Sequence, residues 1–185
     1  MSSPAVTRIA LVGPESCGKS TLAEALGDQL AGAGLPVARV DEYARRYYAS
    51  RPYRPTLADV EAIAAGQLAA EAAAIAQGAR LLICDSTVLT CVIWAEIAFG
   101  RASRVLAALN RPRDYALTLL PLPDLPWTYD PLRSHPDARD MLLARYRARL
   151  AEAGVPVAEI AGQGEARVAA ARRALQNHGL AQFLR

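Results

Sequence analysis

Residues 13–20, Gly-Pro-Glu-Ser-Cys-Gly-Lys-Ser, carry the spacing G-x-x-x-x-G-K-[ST]. In this pattern successive backbone N–H groups curl around an anion. From Glu15 to Ser20 they can wrap a β-phosphate, with the positive end of a following helix dipole behind them. Gly13, Glu15, Ser16, Cys17, Gly18, Lys19, Ser20 and Thr21 are therefore candidate ATP-binding residues, and the Ser20 hydroxyl is a candidate Mg²⁺ ligand. The pattern arises by chance in a chain of this length with a probability on the order of one per cent. Lys19 carries a second signal. Of the 21 basic residues it is the one lysine, and the others are arginine. A compact ammonium on a flexible stem can bridge β- and γ-phosphate oxygens inside a tight loop, whereas a planar guanidinium is wider and donates in a fixed fork. Lys19 is the first candidate catalytic residue.

Other chemistry sits at the ends of short apolar runs. "LLICD" ends on Asp85, placed as an acid that holds Mg²⁺ or a metal-bound water. "PVARVDEY" ends on Asp41 and Glu42, either of which can take the proton of an attacking hydroxyl. Arg133, in a segment rich in proline and aspartate, is a candidate for carrying positive charge onto a transferring phosphoryl group. Tyr43, Trp94, Trp127 and Tyr129 offer rings on which a planar base can stack. Arg139 is expected to face solvent on the next helix, and His135 is expected to play no part.

These residues need a frame, and the pattern supplies an α/β one. Apolar runs at "RIALVG", "PVARVDEY", "ARLLICD", "DYALTLLP" and "VPVAEI" read as five strands. Helices are expected over Lys19–Ala31, ended by "GAG" at 32–34, and over Tyr43–Tyr48. Thr56, with Asp59 three residues on, caps a long third helix. Further helices are expected at 88–99, up to Leu109, from about Asp137 to Ala153, and from about Glu165 to Asn177. Strands alternating with helices imply a parallel sheet covered on both faces, with ligands beyond the carboxyl ends of its strands. About 19 residues over 122–140 without periodicity read as a lid.

At 185 residues, 52% hydrophobic and 21% charged, the chain suits one folded domain over residues 1–185 and is not disordered. A net charge of +3 with no like-charged block argues against nucleic acid as partner. The arginines of "ARRYYASRPYR" read either as a solvated helix end and loop or as an anion site. Asp59, Glu61, Gln67 and Glu71 interrupt the apolar stretch 58–79, so it is not a membrane span. Cys17, Cys84 and Cys91 lack Cys-x-x-Cys spacing and are odd in number. With no signal-peptide pattern at the start, they point to reduced thiols and a cytoplasmic protein.

"GPESCGKSTLAEAL", "DEYARRY", "AAGQLAAE", "CDSTVLTCVIWAEIAFG" and "PDLPWTYDPLR" together resemble the ribosylnicotinamide kinase domain of NadR-type proteins, over about residues 7 to 176. The resemblance implies ATP- and Mg²⁺-dependent phosphorylation of the 5′-hydroxyl of nicotinamide riboside to nicotinamide mononucleotide. It implies Glu42 and Asp85 as the acids nearest the substrate hydroxyl and the metal, and Arg133 as the lid arginine. Within the matching segments Glu42, Tyr43, Arg45, Gln67, Trp94, Trp127 and Asp130 become candidate substrate-binding residues. The sequence departs from the family's pattern at Thr87, where a second carboxylate is expected, at Cys91 and at Pro131. Two other readings remain: a kinase for a different nucleoside or small acceptor, and a P-loop ATPase that acts through a partner.

Overall fold

The computed structural model describes residues 6–32, 36–133, 135 and 137–184. Five strands form one parallel sheet: β1 (Thr7–Leu11), β2 (Val37–Val40), β3 (Leu81–Asp85), β4 (Leu117–Pro121) and β5 (Val157–Ile160), in the order β2-β3-β1-β4-β5. Every residue of β3 and β4 is buried, as expected for strands covered on both faces. Successive side chains of a strand point to opposite faces. Ile9, Leu11, Leu81, Ile83, Leu117 and Leu119 thus pack in one core with Leu22, Leu26 and Leu30 of α1 (Lys19–Ala31) and with Ala171 and Leu175 of α7 (Gly164–Asn177). The alternate residues Ala10, Leu82 and Cys84 face the other way, toward Ala70 and Ala74 of α3 (Leu57–Ala76). Val12 and Leu120 meet α4 (Val88–Phe99) and α6 (Arg139–Ala153) on that second side. Two short helices, α2 (Tyr43–Tyr48) and α5 (Arg104–Leu109), complete the described elements of this kind.

Local signals act where the sequence puts them. The Thr56 hydroxyl accepts from the Asp59 N–H at 3.2 Å, and the Asp59 carboxylate accepts from the Thr56 N–H at 2.8 Å, which is the capping box at the start of α3. Several boundaries move. β4 begins at Leu117 because Pro112–Asp114 turn as a short 3-10 helix. The lid ends earlier than 140 because α6 starts at Arg139. That residue also corrects an expectation: its guanidinium donates to the Leu125 carbonyl at 2.6 Å and ties α6 back to the lid, so it does not simply face solvent. Of the expected helix stop at 32–34, Ala33 and Gly34 lie outside the described residues. Among the described residues no helix is long and apolar enough to cross a membrane.

Candidate functional site

The loop between β1 and α1 is fixed by backbone conformations that most residues avoid. Gly18 caps α1 with φ 76°, and a Cβ there would stand 2.9 Å from Leu125 Cδ1, so glycine is required. Ser16 takes φ 53° without being glycine. Such conformations persist where the surroundings hold them. Here the lid does so, since Ser16 Oγ donates to the Thr128 carbonyl at 3.2 Å and accepts from the Thr128 N–H at 3.1 Å.

Lys19 lies along this loop. Its ammonium donates to the carbonyls of Gly13 (2.9 Å) and Pro14 (2.8 Å) and is 3.8 Å from Cys17 Sγ. Burial opposes its charge, but the field of Cys17, Tyr146, Glu42 and Asp85 outweighs burial and holds the ammonium above its ordinary pKa. The group is a permanent cation beside the phosphate loop.

Three cavities meet here. The first contains the phosphate loop from Glu15 to Thr21, together with Arg45, Leu132 and Arg133. The second holds Ser20 and Asp85 with Arg39, Asp41 and Arg45. The third is lined by Tyr43, Tyr48, Tyr53 and Trp94 together with Gln67 and Ser86. Glu42 lines all three. Burial raises its carboxyl above the ordinary range; Lys19 and Arg45 pull against this, and Asp85 and Asp130 add to it. Asp41, its neighbour, is exposed and pairs with Arg39 at 2.7 Å. The geometry thus sets Glu42, which the resemblance singled out, apart from Asp41.

Asp85 ends β3 at 3% exposure, and its Oδ1 has no hydrogen-bond partner among the described residues. A buried carboxylate oxygen without a donor, in the same cavity as the Ser20 hydroxyl, suits Mg²⁺. That ion binds through one or two protein oxygens, substrate phosphates and water. Among the described residues no three His, Cys, Asp or Glu side chains gather as an all-protein metal cage.

The lid closes the site from above. Asp130 accepts from Arg45 at 2.8 Å, and Arg45 stands 3.5 Å from Glu42, so a lid acid, a helix arginine and the central acid form one chain. Arg133 donates to the Thr128 carbonyl at 2.6 Å, which holds it over the phosphate loop. At position 135 the backbone N–H donates to the Glu15 carboxylate at 3.0 Å, and the His135 ring lies 3.6 Å from the same carboxylate. Trp94 joins the aromatic cavity, whereas Trp127 and Tyr129 do not line it; they meet edge to face at 6.4 Å, and Tyr129 is 75% exposed.

Several contributors were not legible in advance. Arg167 of α7 is 4% exposed and donates to the carbonyls of Cys17, Leu122 and Gly162 and to Asp124. It fastens the phosphate loop to the lid root and to the turn after β5, and no local pattern marks it. Tyr48 and Tyr53 were hidden in an arginine-rich stretch. Gly66 was hidden inside a helix, where glycine costs about 1 kcal/mol relative to alanine. A Cβ at Gly66 would stand 2.1 Å from the Tyr43 ring, so this glycine is what lets the ring lie against α3. Gly66→Ala is expected to displace the Tyr43 ring from α3 and to lower the melting temperature although alanine favours helix; thermal unfolding checks this, and a stabilised variant would contradict it.

A family model described as an AAA domain matches residues 8–167. No curated protein matches the chain in sequence. Among solved structures it is similar to the NadR protein in complex with NAD and AMP-PNP, with a TM-score of 0.71, 18% identity, and 95% of this chain covering 50% of that one. The NadR protein in complex with NR gives a TM-score of 0.69 at 16% identity, with 94% of this chain covering 51% of the other. Deoxyadenosine kinase from M. mycoides, solved with dCMP and dCDP, gives 0.56 at 13% identity, covering 92% of this chain and all (100%) of that one. The chain therefore spans about half the length of the two NadR chains. At these identities the likeness is one of fold, a phosphate-loop NTPase sheet with flanking helices. The family model spans most of the sequence and begins in β1, just ahead of the phosphate loop; the chain belongs to the AAA-domain family.

Proposed function

We propose that the chain is a Mg-ATP-dependent nucleoside kinase, and that its acceptor is nicotinamide riboside, which it converts to nicotinamide mononucleotide. In this reading residues 1–185 are one kinase domain with a lid at about 122–140, and it works in the cytoplasm. The observation that carries the reading is Glu42, among the described residues the one common to the phosphate cavity, the Ser20–Asp85 cavity and the aromatic cavity. A kinase needs an acid where its two substrates meet. An ATPase acting through a partner protein has no use for a cavity walled by four aromatic rings.

The aromatic cavity also supports the choice of acceptor. Among the described residues Glu42 is the only charged one in its lining. Aromatic faces attract cations, so a pyridinium ring gains there and an anionic ring loses. Burial pushes the Cys91 thiol up to about 12, so it lines the wall as a neutral group. The NadR structures solved with NAD and with NR add support at the level of fold.

The steps follow from the positions. Backbone N–H groups of the loop and the Lys19 ammonium hold and neutralise the β- and γ-phosphates. Mg²⁺, held by Ser20 and Asp85, would supply further positive charge to the phosphates. The aromatic walls orient the nucleoside, and Glu42 accepts the proton of its 5′-hydroxyl. Arg133 stabilises charge on the moving phosphoryl group while the lid excludes water. Arg133→Ala is accordingly expected to lower kcat by about a hundredfold and to weaken ATP binding far less. Pre-steady-state rates set against equilibrium ATP titration check this, and equal losses in the two would remove the lid role.

The reading is tested by mass spectrometry of products after Mg-ATP is mixed with nicotinamide riboside, with other nucleosides, or with no acceptor. Phosphorylation of nicotinamide riboside alone is the expected result. Transfer to a different nucleoside would move the substrate, and ADP release without any phosphorylated acceptor would favour the ATPase reading.

A further inference from the structure

Three buried polar atoms of residues that line the aromatic cavity have no hydrogen-bond partner among the described residues: the Tyr48 hydroxyl, Gln67 Nε2 and Ser86 Oγ. Burying such groups is costly unless something pairs with them. Hydroxyls rotate and can donate or accept, so Tyr48 and Ser86 do not specify the chemistry of a ligand. Gln67 does.

Gln67 is 3% exposed, on the face of α3 turned toward the cavity. Its Oε1 accepts from the backbone N–H of Tyr43 at 2.9 Å. A backbone N–H can only donate, so this bond fixes which end of the amide is which. The carbonyl end is committed to Tyr43, and the NH₂ end is left as a pure donor. The neighbouring Gly66 fixes the Tyr43 ring on the same helix. Ring and donor are therefore set relative to each other by adjacent residues of one rigid element.

We infer that Gln67 reads the ring of the acceptor nucleoside by donating an amide N–H to a carbonyl oxygen on it. The site thus takes ribosides whose ring carries a carbonyl at that edge and discriminates against rings that lack one or present an amino group there. Two donors facing each other cannot pair, and the buried amide would stay unsatisfied. This deepens the nucleoside-kinase reading and rests on it.

The test uses three pyridinium ribosides that share the cationic ring: the 3-carboxamide (nicotinamide riboside), the 3-acetyl compound and the unsubstituted pyridine riboside. Calorimetric binding is measured at pH 8 with Mg²⁺ and a non-hydrolysable ATP analogue, for the wild type and for Gln67→Glu. Phosphoryl transfer is followed in parallel. The glutamate keeps an oxygen for the Tyr43 N–H and replaces the donor by an acceptor. In the wild type, the carboxamide and acetyl compounds should bind alike and at least about tenfold tighter than the unsubstituted one, the loss of one well-paired donor. In Gln67→Glu that ratio should fall to about one or invert, with Tyr43 still anchored.

An unchanged ratio in the variant would overturn the inference. Equal weakening of all three compounds would also overturn it, because it would assign Gln67 a purely structural role in holding Tyr43. Binding with the expected ratios but without phosphoryl transfer would sink the kinase reading and leave the recognition by Gln67 standing. Failure of the wild type to bind any of the three would overturn both.

Discussion

Lys19→Ala is expected to reduce phosphoryl transfer by on the order of a thousandfold, the cost of removing one preorganised positive group from developing phosphate charge. The reason lies in where the ammonium is held. It bridges the carbonyls of Gly13 and Pro14 within the loop, and Glu42 and Asp85 add to the field that keeps it charged. Without it, those acids would face the incoming phosphates with less to offset their repulsion. Lys19→Arg should fail nearly as badly although it keeps the charge, because a guanidinium is wider and donates in a fixed fork. This comparison explains why a chain with 21 basic residues keeps its one lysine here. Single-turnover transfer rates under saturating Mg-ATP measure the effect. Activity within tenfold of wild type in the alanine variant would end the proposed mechanism.

The second large effect concerns Glu42. Glu42→Gln keeps the size of the side chain and removes its ability to take a proton. General-base catalysis contributes about 10²–10⁴-fold, and a loss in that range is expected in kcat. The pH profile gives a sharper signature. The carboxyl is active only when ionised, and burial first, then Asp85 and Asp130, raise its pKa above the ordinary value against the pull of Lys19 and Arg45. Wild-type activity should therefore decline on acidification at a higher pH than a free glutamate would dictate, falling about tenfold per pH unit below that pKa. In Glu42→Gln this acid limb should vanish from the residual rate. Asp41→Asn provides the control: Asp41 is exposed and paired with Arg39, so its loss should leave both rate and profile nearly unchanged. An acid limb that survives in Glu42→Gln would move the base elsewhere.

Much of the frame was readable because its signals are local. Strand-length apolar runs, the Thr56–Asp59 box and the leucines of α1 act over a few residues, and each formed the element it implied. The phosphate loop was legible for the same reason, since its glycines and lysine are spaced within eight consecutive residues just ahead of a helix. Boundaries shifted by a few residues, among them where a 3-10 turn before β4 or a lid contact at Arg139 competed with the pattern.

The aromatic wall was only half visible. Trp94 and Trp127 looked alike as sequence, yet α4 carries Trp94 into the cavity, while the lid leaves Trp127 against Tyr129. Tyr53 enters only because the loop after α2 folds back over the cavity, where its ring also meets Tyr48 at 5.0 Å.

By itself the sequence determined a five-stranded α/β chain with a phosphate loop, an acid at the end of the third strand and a long loop before α6. Tertiary structure decided which aromatics face the cavity, that Asp41 pairs with Arg39 while Glu42 lines the cavity, and that Arg167 and Asp124 clamp the phosphate loop. The decisive contacts join Arg45 to Asp130, Ser16 to Thr128 and Arg167 to Cys17, pairs 85, 112 and 150 residues apart. Such pairings carry no periodicity and no cap. They exist only once the sheet order has brought the ends of its strands side by side.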